Sequence, residues 1–84
     1  MEISDISMYL DGGTLILFTN KGDFCIDKRI KSTNHGRLYN KYPLKDNSNL
    51  IENDIELKNE ILEASKLYDG GSYYNEINEL FKNK

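Results

Sequence analysis

Residues 28–45 combine the side chains that most readily recognise another molecule. This basic segment holds six of the eleven Lys and Arg residues, the only His, the only Pro, two of the six Tyr, and no Asp or Glu. Arginine offers a planar fork of donors to carboxylate or phosphate, lysine supplies a point charge, and a tyrosine ring can stack on a base or fill a protein pocket. The candidate binding residues are Arg29, Lys31, His35, Arg37, Tyr39, Lys41 and Tyr42.

Two functions of different class fit this basic segment. The first is the binding of one protein partner through Arg and Tyr anchors, the residue types that dominate interface hot spots. The alternative is a nucleotide or nucleic acid, with phosphates on the Arg and Lys candidates and a base on Tyr39 or Tyr42. A third interpretation is purely structural, because the bases would be neutralised if they paired with acids such as Glu52, Glu56 or Asp69.

Catalytic and metal-binding motifs are not recognisable in the sequence. Cys25 and His35 are formally a thiol and a base, but they lie ten residues apart on different predicted elements. The scattered carboxylates show no metal-ligand spacing, and they are typical of a solvated helix face. Gly12-Gly13 and Gly70-Gly71 belong to no phosphate-binding motif and indicate turns. We therefore expect a non-enzymatic protein without a metal or cofactor.

Length and composition favour one small domain in a reducing compartment. A chain of 84 residues with 38% apolar residues can cover only one modest core, so we expect residues 1–84 to form a single domain. Lone Cys25 has no partner for an internal disulfide. The stretch Met1–Asp5 carries no cationic start and no apolar run of signal length follows it. These features predict a cytoplasmic protein that does not interact with membranes.

Charge is distributed unevenly along the chain. Residues 1–27 have a net charge of −4, residues 28–45 of +6 and residues 46–84 of −5. Overall acidity argues against a general nucleic-acid binder, although a local positive field can still attract phosphate or a carboxylate-rich partner.

The first third of the chain has the periodicity of a β-meander. Residues 3–10 alternate between apolar and polar side chains, and a Gly-rich turn follows. Residues 14–20 are apolar on both faces, which predicts a central strand whose second face is covered by other groups, including a second copy of the chain. Residues 24–30 alternate again and complete three strands. The basic segment then predicts a loop, with a short turn or strand around Arg37 to Tyr39.

The C-terminal half predicts a helical hairpin. Apolar residues recur at helical spacing over 53–68 and again over 73–82, with Asp69-Gly70-Gly71-Ser72 between them. Asn49 and Asn53 can each be the N-cap of the first helix, and we expect a start near Asn53. A glycine of the following turn can end this helix in the left-handed conformation, and Ser72 can cap the second helix.

Taken together, these patterns predict an α+β domain in which a three-stranded antiparallel meander packs against a C-terminal helical hairpin. In size, acidity and absence of catalytic motifs, the chain is similar in composition to small inhibitor and immunity proteins. The expected function is accordingly an inhibitor or immunity-type protein that binds one protein partner through residues 28–45. A homodimer through the sheet is the expected mode of any self-association.

Overall fold

The computed structural model of the chain describes residues 1–8, 13–27, 37–41, 47–51 and 53–82. It is an α+β structure in which five antiparallel strands precede two helices. The strands are β1 (Ile3–Met8), β2 (Thr14–Thr19), β3 (Gly22–Asp27), β4 (Arg37–Asn40) and β5 (Leu50–Ile51). The helices are α1 (Ile55–Leu67) and α2 (Tyr74–Phe81).

The sheet extends the predicted meander by two short strands. Its order is β1-β2-β3-β4-β5, with every neighbouring pair antiparallel. The predicted class and the first three strands are confirmed, but the sheet has five strands because β4 adds to β3 and β5 adds to β4. The predicted strand ends at residues 9–10 and 28–30 lie outside the described residues.

One face of the sheet packs against both helices and forms the core. The buried cluster takes Leu15 and Leu17 from β2, Ile61 from α1 and Ile77 from α2. Each of these four side chains is fully buried. Burying an aliphatic side chain of this size contributes about 1.5–3 kcal/mol, so this inner face is the main source of stability. The other members of the cluster are Ile6, Phe24, Ile26 and Leu38.

A β-bulge near the N-terminus explains why Ile3 and Ile6 both face the core. Ile3 is opposite Thr19 and Asp5 is opposite Phe18, so Ser4 is an extra residue in β1. The Ser4 hydroxyl donates a hydrogen bond to the Phe18 carbonyl oxygen over 3.1 Å. Ile3 and Ile6 are three residues apart, so in a regular strand their side chains would point to opposite faces. Because Ser4 is an extra residue, both side chains point to the core.

The exposed edge of β1 is protected by its own side chains. Asp5 Oδ1 accepts hydrogen bonds from the Ile6 N–H over 2.9 Å and from the Tyr68 hydroxyl over 3.1 Å. An outward-pointing N–H on an edge strand is otherwise free to pair with another chain. The Ile6 N–H in the middle of this edge is therefore already hydrogen-bonded. The same Asp5 carboxylate links β1 to Tyr68 in the turn after α1.

The start of α1 differs by one residue from the prediction. Asp54, rather than Asn53, is the N-cap, and its Oδ1 accepts a hydrogen bond from the Leu57 N–H over 2.9 Å. Both residue types can cap a helix, and spacing alone did not distinguish them. A salt bridge of 2.7 Å between Lys21 Nζ and Glu60 Oε2 holds the β2–β3 turn to this helix.

The turn between the helices reverses the chain through three left-handed residues. Asp69, Gly70 and Gly71 have φ values of 50°, 65° and 84°, and the predicted left-handed glycine is confirmed. The predicted capping of α2 by Ser72 is wrong, because the N-cap is Tyr73 and no side chain caps it. The Ser72 hydroxyl instead lies 2.6 Å from the Asp69 carbonyl oxygen and 2.7 Å from Asp69 Oδ2.

Candidate functional site

Three of the seven predicted binding residues lie in the part of the chain that the structure describes. Arg37 and Tyr39 are on β4, and Lys41 directly follows that strand. The other four lie outside the described residues, namely Arg29, Lys31, His35 and Tyr42.

The three described candidates share the face of the sheet that points away from the helices. Leu38 belongs to the inner core, so its neighbours Arg37 and Tyr39 point to the opposite side of β4. By the same alternation, Ile16 and Phe18 of β2 point away from Leu15 and Leu17. We call this surface the outer face; it comprises Ile16, Phe18, Asp23, Arg37 and Lys41 together with their buried neighbours Cys25 and Tyr39.

Tyr39 is part of the packing of the outer face rather than of its surface. It lies opposite Cys25 in the register of β3 and β4, and its exposed fraction is only 5%. A ring that stacks on a base must present one of its faces to solvent. In this structure Tyr39 supports the neighbouring strands, and we do not retain it as a stacking residue.

Arg37 has an acidic neighbour on the adjacent strand. It is directly opposite Asp27 in the ladder of β3 and β4, and Asp27 is 8% exposed. Opposite charges at facing positions stabilise a sheet by a few tenths of a kcal/mol to about 1 kcal/mol. Arg37 is itself only half-buried, so part of its side chain remains accessible on the outer face.

Lys41 has an unusual backbone conformation for a lysine. Its φ is 77°, a value in the left-handed region that L side chains adopt rarely and that glycine or asparagine would adopt at lower cost. The Lys41 N–H donates a hydrogen bond of 3.0 Å to the Asp23 carbonyl oxygen, which fixes this conformation against the start of β3. The side chain is exposed. Strained backbone of this kind is concentrated at functional sites.

A shallow groove of about 550 Å³ connects Lys41 with the apolar part of the outer face. Its lining residues are Ile16, Phe18, Gly22, Asp23 and Lys41. Ile16 and Phe18 are partly exposed, whereas the inward-facing side chains of the same strand are fully buried. The groove therefore offers one aromatic and one aliphatic side chain, flanked by a lysine and a carboxylate.

The sequence contained the signal for Ile16 and Phe18, although neither was among the predicted binding residues. The run Thr14–Thr19 is apolar at successive positions, which indicates a strand with two apolar faces. One face is used by the core, so the other must be covered by a loop or a partner or remain exposed. What the sequence did not reveal is that Lys41 lies beside this second face.

Covalent catalysis at Cys25 is disfavoured by the structure. The side chain is completely buried, and this burial, with a smaller effect from the Asp23 charge, raises the pKa of the thiol to about 11. A thiol becomes nucleophilic as a thiolate, so Cys25 is unreactive near neutral pH.

Metal binding has no support among the residues described here. Within ranges 1–8, 13–27, 37–41, 47–51 and 53–82, no group of three or more His, Cys, Asp and Glu side chains could hold a metal ion. Over the same ranges, neither helix is long and apolar enough to cross a membrane.

No protein-family model, curated protein or solved structure matches this chain.

Proposed function

We propose that this chain is a small non-enzymatic binding domain of the inhibitor or immunity type, and that it binds one protein partner on its outer face. The proposal joins the basic segment 28–45 to the groove, because Arg37 and Lys41 come from that segment and lie on the face that carries the groove. The observation that carries it is the placement of Lys41, in a left-handed conformation, beside partly exposed Phe18 and Ile16.

The apolar residues of the groove supply the contact area. Phe18 and Ile16 are held on a central strand that pairs on both sides, so their backbone positions are fixed before a partner arrives. A rigid aromatic anchor loses little conformational entropy on binding, which is the usual property of an interface hot spot.

The charges around the groove favour a protein over a nucleic acid. Lys41 and Asp23 both line the groove, which therefore carries one positive and one negative charge. A phosphate backbone would meet the Asp23 carboxylate unfavourably, whereas a protein surface can present an acid to Lys41 and a base to Asp23. We infer a partner that inserts an apolar side chain between Ile16 and Phe18 and offers opposite charges at its edge.

The alternative function is the binding of a nucleotide or nucleic acid. It is favoured by one observation, the presence of a partly exposed aromatic ring and a lysine in the same groove. Phe18 would stack on a base while Lys41 and Arg37 bind phosphates.

The experiment is an affinity capture with matched variants as bait. Phe18→Thr removes the ring but keeps a residue that favours strands, and Lys41→Gly removes the charge at a position whose backbone favours glycine. Leu67→Ser is the control, because Leu67 is 85% exposed and lies on α1, which packs on the inner face. We expect one stoichiometric protein with the wild type and the control, and its loss with both outer-face variants.

Added salt separates the two functions. Binding that depends on phosphate contacts weakens steeply as salt is raised, whereas a contact dominated by Phe18 and Ile16 persists at moderate salt. A captured species that is destroyed by nuclease, or a nucleotide that raises the melting temperature of the wild type but not of Lys41→Gly, would support the alternative. A captured species whose mass is that of the chain itself would identify the predicted homodimer through the sheet.

A further inference from the structure

The strand β1 forms an edge of the sheet and directs part of its backbone outward. In the part of the chain that the structure describes, β1 pairs with β2 and with no other strand. The Phe18 carbonyl oxygen points to β1, where it accepts the Ser4 hydroxyl, and Asp5 is opposite Phe18. Facing residues of an antiparallel pair direct their backbone groups toward each other at every second position. The N–H and C=O groups of Ile6 and Met8 therefore point away from β2.

Two side chains close this edge at Ile6. Asp5 Oδ1 accepts the Ile6 N–H over 2.9 Å and the Tyr68 hydroxyl over 3.1 Å. Tyr68 is half-buried and directly follows α1, so the helical layer holds the carboxylate in place at the edge. An acceptor from the same chain thus occupies the donor that an added strand would use.

The edge is complementary to a second copy of itself. Two β1 strands related by a twofold axis at Ile6 run antiparallel, and the two Ile6 residues can then exchange a pair of N–H···O=C bonds. Met8 is 48% exposed, and as the second residue after Ile6 it points to the same face. In the joined strands Met8 lies diagonally from Ile6 of the other copy, within reach of its side chain. Strand addition would therefore satisfy the outward backbone and cover an exposed apolar side chain.

From these contacts we propose that Asp5 and Tyr68 form an autoinhibitory lock, which prevents the β1 edge from pairing with β1 of a second copy. Pairing requires the Ile6 N–H to leave Asp5 in both copies, so each dimer costs two capping hydrogen bonds. With the lock closed, the edge stays unpaired; with the lock removed, the two sheets join edge to edge. The inference is independent of the proposed function, which uses side chains of the outer face.

Two substitutions of Asp5 separate the cap from its charge. Asp5→Ala removes the acceptor and frees the Ile6 N–H. Asp5→Asn is the matched control, because it removes the same charge but keeps a side-chain oxygen that can accept the bond. Tyr68→Phe removes only the hydroxyl that holds the carboxylate, and its effect should lie between the two.

A further substitution shows whether the new contact is at this edge. Met8→Pro, combined with Asp5→Ala, removes an outward N–H at a position where an edge strand tolerates proline, and the ring blocks the approach of another strand. Circular dichroism melting should show that every variant is folded.

Sedimentation velocity of the intact chain, from about 10 μM to about 1 mM, provides the test. The dissociation constant of the dimer should be roughly tenfold to a hundredfold lower for Asp5→Ala than for the wild type, because two capping hydrogen bonds need not be broken. Asp5→Asn should behave as the wild type, and the double variant should stay monomeric. The Ile6 amide of Asp5→Ala should exchange with solvent rapidly in dilute solution and more slowly as the concentration rises.

Three outcomes would overturn the proposal. One is equal association of the wild type and Asp5→Ala over the whole range, since the edge would then not be locked by Asp5. Another is equal association of Asp5→Ala and Asp5→Asn, which would assign the effect to charge. The third is association of Asp5→Ala that survives Met8→Pro and disappears with Phe18→Thr, since the contact would then lie on the outer face.

Discussion

Lys41 occupies a backbone conformation that a lysine adopts only at a cost, and its side chain borders the groove of the outer face. Glycine adopts a φ of 77° with less steric strain than lysine does. A lysine at such a position has a physical explanation if its charge is used in binding. The positive φ of Lys41 is therefore the residue-scale observation on which its proposed binding role rests.

We predict that Lys41→Gly stabilises the fold while it weakens partner binding. Relief of the left-handed strain should raise the free energy of unfolding by about 0.5–1 kcal/mol, after the greater entropy of glycine in the unfolded chain is subtracted. Urea denaturation measures this change. Asp69→Gly is the control, because Asp69 also has a positive φ but lies in the turn after α1. Its binding should equal that of the wild type, and equal binding by Lys41→Gly would remove Lys41 from the site.

Cys25 provides a prediction with a defined pH range. The pKa of its thiol is raised to about 11 in the folded state from an ordinary value of 9.0. The folded chain therefore retains a proton that the unfolded chain loses between these two values. Stability that is fully present below about pH 9 should fall, by up to about 1.4 kcal/mol per pH unit, as the pH rises toward 11.

Comparison with Cys25→Ala isolates this contribution from the other groups that titrate at alkaline pH. The variant should be less stable than the wild type at pH 7, because it leaves a small cavity, and its stability should decline less steeply between pH 9 and 11. A thiol reagent should modify folded wild-type protein only after urea is added. Rapid modification at pH 8 without urea would show that Cys25 is not buried.

At the scale of the elements, α1 depends on one capping side chain that can be tested against its neighbour. Asp54 Oδ1 accepts the Leu57 N–H, whereas the Asn53 side chain is not the cap. Asp54→Ala should lower the free energy of unfolding by about 1 kcal/mol. Asn53→Ala should change it by no more than a few tenths of a kcal/mol, as at an ordinary surface position. Chemical denaturation of the two variants side by side measures the difference, and equal losses would contradict the assignment of Asp54.

The turn after α1 offers a second matched pair. Gly70 and Gly71 both have positive φ, so alanine is strained at each, by about 1–2 kcal/mol. A Cβ at Gly71 would in addition lie 3.3 Å from the Lys66 carbonyl oxygen, whereas nothing lies within 4 Å of a Cβ at Gly70. We predict that both alanine variants melt at lower temperature than the wild type, and that Gly71→Ala melts lowest. The reverse order would show that the turn is arranged differently.

Periodicity in the sequence identified the long elements; it offered β4 only as a short turn or strand around Arg37 to Tyr39 and missed β5, for a physical reason. β1, β2, β3 and both helices present at least six residues, enough to repeat an apolar spacing. β4 and β5 span four and two residues, and their pairing depends on neighbours that are distant in the chain. The bulge at Ser4 was likewise invisible, because no residue type marks an inserted position.

The candidate site, like the fold, was predicted only in part from the sequence. Arg37 and Lys41 were identified from their chemistry, and their position on the outer face became clear only from the register of β3 and β4. Tyr39 had suitable chemistry but is buried. The sequence could not reveal this, because the exposure of a strand residue depends on the packing of neighbouring strands. Ile16 and Phe18 were recognisable as part of a strand with two apolar faces. Only the three-dimensional structure shows that they line one groove with Lys41.

At the scale of the whole molecule, the two sides of the sheet differ in how far their apolar side chains are buried. The inner face carries the core and both helices, whereas the outer face leaves Ile16 and Phe18 partly exposed. At the edge of the sheet, the Ile6 N–H is occupied by the Asp5 carboxylate, which favours recognition through side chains on the outer face over strand addition at β1.

The most direct test of this account is capture of the partner at moderate salt with three baits, the wild type, Phe18→Thr and Leu67→Ser. All three should first be shown to melt cooperatively, so that loss of binding is not loss of folding. We predict one stoichiometric protein partner that the wild type and Leu67→Ser retain equally and that Phe18→Thr loses. Equal retention by all three baits, or loss of the partner with Leu67→Ser alone, would contradict the assignment of the outer face as the binding surface.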